Sequence, residues 1–168
     1  TAYVVLYLTE SVAVAAGLAG TTLALVQLTG SVGRIGGGAL VDRLPASDAR
    51  ASALVLCGQS LAGAACLVAV TLVEGPLVAA AGFAALGLFL FGIPAIYYAC
   101  MTALVPADRV GEATAGGQLT VNVGGLVAPP AFGYLVDTAG YAAGWYALAA
   151  GGGLAALLIG WLLRLTEA

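Results

Sequence analysis

All five arginines of this chain, Arg34, Arg43, Arg50, Arg109 and Arg164, stand at or near one set of ends of long apolar segments, and the opposite ends carry none. The apolar stretches are interrupted at residues 17–20 (uncharged), 42–50 (arginine-bearing), 74–76 (acidic), 106–112 (bearing Arg109) and 137–141 (acidic). Basic and non-basic breaks therefore alternate. Cationic loops are retained on the cytoplasmic side of a membrane, so a chain that crosses the bilayer repeatedly acquires this alternation. The pattern predicts a multi-pass protein of the cell (cytoplasmic) membrane with the arginine-bearing loops and the C-terminus inside.

Composition restricts the chain to the same class. Hydrophobic residues make up 62% and charged residues 8%, where a soluble domain carries about 25% charged residues. The polar exterior of a soluble fold cannot be assembled from this sequence, and the outer surface is expected to face lipid. A net charge of −3 with no lysine argues against nucleic acid as a partner, because that contact is driven by cations. The absence of histidine excludes Cys–His nucleophiles and His-liganded metal sites. Cys57, Cys66 and Cys100 lie inside apolar spans without metal-ligand spacing and read as small packing residues. No pair of titratable side chains stands at one depth for acid and base work, so an enzyme is not expected.

A helix needs roughly 20 apolar residues to cross the hydrocarbon core. Residues 18–41, 51–73, 77–105, 113–136 and 142–163 each suffice, and residues 1–8 do not. The expected fold is an all-α six-helix transmembrane bundle over residues 1–168, with five full spans and one truncated, its inner part expected upstream of residue 1. Glycine indicates how the spans pack: small residues let helix backbones approach in lipid, where hydrophobicity alone gives no reason to associate. Gly33 and Gly37 form a Gly-x-x-x-Gly pair, while Gly117, Gly125 and Gly133 recur every eight residues. The second and fifth spans are thus predicted to be tightly packed interior helices. Pro94, Pro129 and Pro130 fall inside spans, where each removes a backbone hydrogen bond and is expected to bend its helix. The phrase Gly38-Ala39-Leu40-Val41-Asp42 is echoed by Gly133-Tyr134-Leu135-Val136-Asp137 at the other membrane face, as two three-helix units in a 3+3 inverted repeat would place it.

The polar residues inside the spans are few. Arg34 lies eight residues before Asp42, about 12 Å inside the membrane edge at the helical rise. A cation at that depth costs around 2.5–3.5 kcal/mol on the insertion scale and turns toward a bundle interior or water. Gln27, Ser31 and Arg34 share one helical face, as do Thr114, Gln118 and Asn122, and Tyr98 with Thr102 forms a smaller polar pair. Two readings of Arg34 stand side by side: it locks a neighbouring helix by bonding its carbonyls or snorkels to the interface, or its planar fork binds a carboxylate, nitrate or phosphate. The third and sixth spans are nearly apolar throughout, with Trp145, Tyr146 and Trp161 near the ends of the sixth. They are expected to face lipid, the aromatics forming an interfacial belt.

These residues carry a family resemblance. Gly38-Ala39-Leu40-Val41-Asp42-Arg43 resembles the Gly-x-x-x-Asp-Arg signature of the major facilitator superfamily, in the copy between its eighth and ninth helices. Pro106-Ala107-Asp108-Arg109-Val110-Gly111-Glu112-Ala113 resembles that family's loop before helix eleven, and residues 124–140 its helix eleven and the turn into helix twelve. The loop after Arg43, Leu44-Pro45-Ala46-Ser47-Asp48-Ala49-Arg50, is less basic than the family's usual one. The resemblance implies the C-terminal six-helix half of a twelve-helix secondary transporter, working by alternating access with an N-terminal half, in the lipid bilayer, on a small-molecule substrate. It implies no cofactor and leaves the coupling ion, H+ or Na+, open.

Substrate contacts are expected from Arg34, Gln27, Ser31, Gln118, Asn122 and Tyr98. Asp42, Arg43 and Gly38 are expected to act as a conformational latch, and Gly33, Gly37, Gly125, Pro129 and Gly133 to pack helices. Arg34 favours an organic or inorganic anion, since the resembled family includes organic-anion carriers with an arginine near this place. A drug or neutral-solute carrier is the alternative within the family. A non-transporting scaffold fits less well, because it gains little from burying Gln27, Arg34, Gln118 and Asn122 together.

Overall fold

The computed structural model describes residues 2–10, 12, 15–72 and 75–165, which are helical apart from short connections. The helices are α1 (Ala2–Glu10), α2 (Ala16–Arg43), α3 (Asp48–Leu72), α4 (Pro76–Leu90), α5 (Ile93–Ala103) and α6 (Val110–Leu165), with a 3₁₀ turn at Ala107–Arg109 before α6. Three stretches are long and apolar enough to cross a membrane: Asp48–Leu72, Pro76–Ala103 and Ala107–Arg164. The 28-residue α2 has the length, about 42 Å at 1.5 Å per residue, but its glycines, Gln27 and Arg34 dilute its apolar character.

The third stretch cannot be one crossing. Its 58 residues would extend about 87 Å as a straight helix, against a hydrocarbon core of about 30 Å. The chain reverses at Gly140, whose φ of 84° and ψ of 169° are open to glycine and costly for residues with a Cβ. Phe132 and Trp145 would stand about 20 Å apart on a continuous helix, yet their ring centroids are 4.8 Å apart. The two limbs of α6 therefore lie side by side below the turn.

The span at 77–105 also differs from a single helix. It breaks at Phe91–Gly92 into α4 and α5, because Pro94 has no N–H to give Leu90 and its ring crowds that carbonyl. By contrast α6 runs through Pro129 and Pro130 without interruption. Those prolines do not break their helix, and the non-helical residue is Gly140.

Packing gathers the chain ends as the charge alternation requires. A cluster of Val55, Leu56, Ile96 and Cys100, with Val41, Leu44 and Ile159 against it, joins the C-terminal ends of α2, α5 and α6 to the start of α3. The loops at 42–50 and 104–109 thus share one end of the bundle with Arg164. A larger cluster of Leu8, Ala19, Val70, Ala79, Phe83 and Trp145 joins the opposite ends, where Glu10 accepts a hydrogen bond from Tyr141 Oη at 2.5 Å. Asp137 lies at this second end; Glu74, expected with it, falls outside the described residues.

Three expectations about burial meet the structure differently. Trp145 belongs to no interfacial belt: it is 4% exposed and packs against Tyr7, Phe83 and Phe132 with ring centroids 5.7, 5.6 and 4.8 Å away. The reversal at Gly140 carries it inward, while Tyr146 and Trp161 remain exposed. Secondly, α3 packs on one side against α2, α4, α5 and α6, burying Ala51, Ser52, Val55, Leu56, Ser60, Gly63, Leu67 and Val70, while Leu54, Leu61, Val68 and Leu72 stay exposed. Small side chains such as Ala64, 3.4 Å from where a Cβ on Gly152 would stand, permit that closeness. Thirdly, the first limb of α6 is not packed all round. Residues 118–131 are exposed at every position, touched among the described residues by single side chains such as Tyr98 and Tyr3.

Candidate functional site

The glycine face of α2 sets the geometry of everything polar around it. Gly30, Gly33 and Gly37 are buried where α2 crosses the end of α4. A Cβ on Gly33 would fall 2.8 Å from the carbonyl carbon of Leu88, and one on Gly30 would fall 2.7 Å from Phe91 Cβ. From the other side, a Cβ on Gly87 would stand 3.0 Å from Val26 Cα. This is backbone against backbone, the approach that small residues permit in lipid. Thr29 Oγ1 clamps the crossing by donating to Ala84 O at 2.7 Å. A threonine within an apolar span carries no signal of such a partner in the sequence.

The crossing delivers the broken end of α4 to Arg34. Arg34 Nε donates to the backbone carbonyl of Phe91 at 3.0 Å, at the break between α4 and α5. The arginine is exposed, and its two Nη groups have no partner among the described residues. One donor thus ties α2 to the break, while the outer edge of the fork remains open to a ligand. Of the two readings of Arg34 drawn from the sequence, the bond to a neighbouring carbonyl is the one observed. Ser31 and Gln27 lie exposed on the same edge of α2, but Ser31 Oγ donates to Gln27 O at 3.1 Å, which engages its proton within the helix.

A second polar group spans α5 and α6. Tyr98 Oη donates to Gln118 Oε1 at 2.6 Å, and Gln118 Nε2 donates to Asn122 Oδ1 at 2.9 Å. Gly117 makes this possible: a Cβ there would fall 2.7 Å from Met101 Sδ and 3.3 Å from Tyr97 Cε1. The chain is directional, with Tyr98 at its donor end and the Asn122 amide free to donate onward. Thr114 and Thr102, on the same faces, bond to the carbonyls of Val110 at 2.7 Å and Ala99 at 3.0 Å. They are turned to their own helices. No hydrogen bond among the described residues joins Arg34 to this chain. The link is through backbone, since Phe91 lies seven residues before Tyr98 across the α4–α5 break.

The remaining expected residues are distributed as follows. Asp42 and Arg43 are exposed at the end of α2, and a Cβ on Gly38 would meet nothing within 4 Å. Gly37 lies against Gln59 and Ile96, and Gly133 against the hydroxyl of Tyr3, which donates to Pro129 O at 3.0 Å. Gly125 has open space around it. Glu10 is the last residue of α1 and accepts from Tyr141 Oη. Among the described residues no group of three or more His, Cys, Asp or Glu is placed to hold a metal ion.

Gln59 is the residue whose position the sequence did not reveal. Its Nε2 reaches between α2 and the α4–α5 break, 2.8 and 2.6 Å from where Cβ atoms on Gly37 and Gly92 would stand. The apolar average of α3 conceals one amide, and only the glycines facing it indicate where it goes.

A search of curated proteins finds no match. The bundle of apolar helices, the arginine-bearing ends and the Gly38–Arg43 motif at the end of α2 agree with a single finding: the family model of the Major Facilitator Superfamily matches residues 1–168, and the chain belongs to that family of multi-pass membrane transporters.

Proposed function

We propose that this chain is the C-terminal half of a secondary transporter of the cytoplasmic membrane. It would move a small organic or inorganic anion by alternating access, with its arginine-bearing ends inside and its helices related as a 3+3 inverted repeat. Arg34 is the observation that carries this reading. Its guanidinium is anchored by Nε to Phe91 O and presents two Nη donors with no carboxylate paired to them among the described residues. A cation in the membrane without a counter-charge is costly, and a bound anion supplies the counter-charge during transport. The planar fork matches carboxylate or phosphate in a bidentate pair. Because Phe91 stands at the α4–α5 break, occupation of the fork would bear directly on the angle between those helices.

The test is uptake and substrate binding by the full-length protein and two variants, with folding checked independently. Arg34→Lys keeps the charge but loses the fork and is expected to weaken anion binding; Arg34→Gln is expected to weaken it further. Normal transport by both variants, or a cationic substrate, would refute the anion reading and leave Arg34 as a strut for the break.

A neutral polar solute is the second reading, favoured by the Tyr98–Gln118–Asn122 chain. Its end groups are uncharged donors and acceptors suited to hydroxyl or amide substrates. Under that reading Tyr98→Phe raises KM strongly while Arg34→Gln acts mainly on turnover.

A further inference from the structure

Between α3 and the second limb of α6 runs a groove of about 360 Å³ whose lining changes character along its length. Cys57, Leu61, Ala156 and Leu157 form its apolar part, and Trp161 and Arg164 stand at the arginine-bearing end. The thiol in that apolar part is already engaged, since Cys57 Sγ donates to Ala156 O at 3.5 Å. Below the mouth, therefore, the lining offers no free side-chain donor. Arg164 is exposed and has no carboxylate paired to it among the described residues. Leu61, Leu157 and Trp161 are exposed along the same groove, which opens it outward to lipid. Leu157 lies seven residues before Arg164, and Cys57 lies nine residues after Asp48. At the helical rise these are about 10 and 14 Å from the same end, against about 15 Å for half of the hydrocarbon core. The groove thus spans most of one leaflet, with its one charge at the headgroup end.

We infer that this groove is a binding site for an anionic phospholipid of the leaflet on the arginine-bearing side. The phosphate meets the Arg164 guanidinium, whose planar fork pairs with phosphate oxygens, and one acyl chain lies against Leu61, Ala156 and Leu157. Basic pockets between membrane helices on the cytoplasmic side take anionic headgroups in this way. Gly160 leaves room for the chain, since a Cβ there would meet nothing within 4 Å. Arg34 does not line the groove, so the site is separate from the candidate solute site. Only the choice of leaflet rests on the orientation proposed above.

The experiment titrates the full-length protein, in detergent and read by native mass spectrometry, with phosphatidylglycerol or phosphatidylcholine of identical acyl chains. Binding in detergent depends neither on orientation nor on transport, so its failure is distinct from failure of the transport reading. One phosphatidylglycerol is expected to bind about fivefold more tightly than phosphatidylcholine, or better, the worth of one basic residue beside anionic lipid. Arg164→Gln, at an exposed position, is expected to abolish that preference, and Arg164→Lys to retain part of it. Arg109→Gln removes the same charge outside the groove and should leave the preference intact. Gly160→Leu fills the groove and is expected to weaken both lipids tenfold or more. Gly153→Leu, also in open space but outside the lining, should weaken neither. Glycerol phosphate, the head without the chains, is expected not to compete. Equal affinity for the two lipids would overturn the proposal, as would a preference that survives Arg164→Gln or falls equally with Arg109→Gln. Binding that survives Gly160→Leu has the same consequence. Competition by glycerol phosphate would reduce the site to a contact with free phosphate. A protein dimer that disappears with Gly160→Leu while no lipid is retained would assign the groove to a second copy instead.

Discussion

Replacing Gly33 with alanine tests the crossing on which the candidate site depends. The added Cβ would stand 2.8 Å from Leu88 C and 3.2 Å from Leu88 Cα, with the carbonyl oxygen closer still. Ordinary carbon contacts are about 3.5–4.0 Å, so α2 and α4 must separate by roughly 1 Å, and no rotamer can relieve a contact with backbone. Inserting a methyl into a well-packed interior costs typically 1–3 kcal/mol. Here the upper part of that range is expected, since the separation also stretches the Thr29–Ala84 and Arg34–Phe91 hydrogen bonds. Gly36→Ala is the internal control, three residues away on the same helix with nothing within 4 Å of its Cβ. It is expected to be neutral or to stabilise by up to about 1 kcal/mol, the helix-propensity difference between glycine and alanine. Reversible unfolding of both full-length variants in mixed micelles measures the contrast. Equal stabilities would refute the backbone crossing of α2 and α4.

Trp145→Ala is expected to cost about 3–5 kcal/mol, the range for removing a large buried aromatic. Trp145→Phe should cost less, since it also removes an indole N–H that is buried without a partner; the same unfolding assay distinguishes them. Gly140→Ala forces a residue with a Cβ to φ 84° and is expected to destabilise by about 1 kcal/mol or more, whereas Gly124→Ala, in open space on α6, should not. Asp42→Asn in the full-length transporter is expected to slow turnover while leaving substrate affinity within a few-fold. Here a large loss of binding with unchanged conformational exchange would count against a latch role.

The parts of this fold legible in the sequence are those written in one-dimensional periodicity. Arginine-bearing and arginine-free breaks mark which helix ends meet, and the clusters around Cys100 and Trp145 gather those ends accordingly. Proline and glycine were less reliable guides, because their effect depends on what lies opposite. Pro94 coincides with a break where Gly92, lacking a Cβ, lets the chain lie close against Gly33, whereas Pro129 and Pro130 sit within an unbroken helix. The two-limbed course of α6 was anticipated from the acidic break at 137–141, yet its consequence for Trp145 was not. A tryptophan near the end of a span resembles an interfacial anchor until the reversal at Gly140 lays Phe132 beside it. The contacts of Gln59 and Thr29 are silent in the sequence for a related reason: a single polar residue in an apolar span states its cost but not its partner.

Packing and candidate chemistry are not separable at the centre of this bundle. The carbonyl that Arg34 holds is available because Pro94 and Gly92 break the fourth span, and it lies within reach because Gly30, Gly33 and Gly87 let two backbones touch. The same break receives Gln59 from α3. One kinked stretch, Phe91–Gly92, is therefore contacted from two neighbouring helices, by a cation on one side and an amide on the other. In a membrane, a helix interrupted by proline persists where neighbouring protein meets the backbone groups it frees. A change in the angle between α4 and α5 would alter both contacts together, so a transport defect in a glycine variant of α2 cannot be assigned to solute recognition until the Arg34–Phe91 bond has been shown intact.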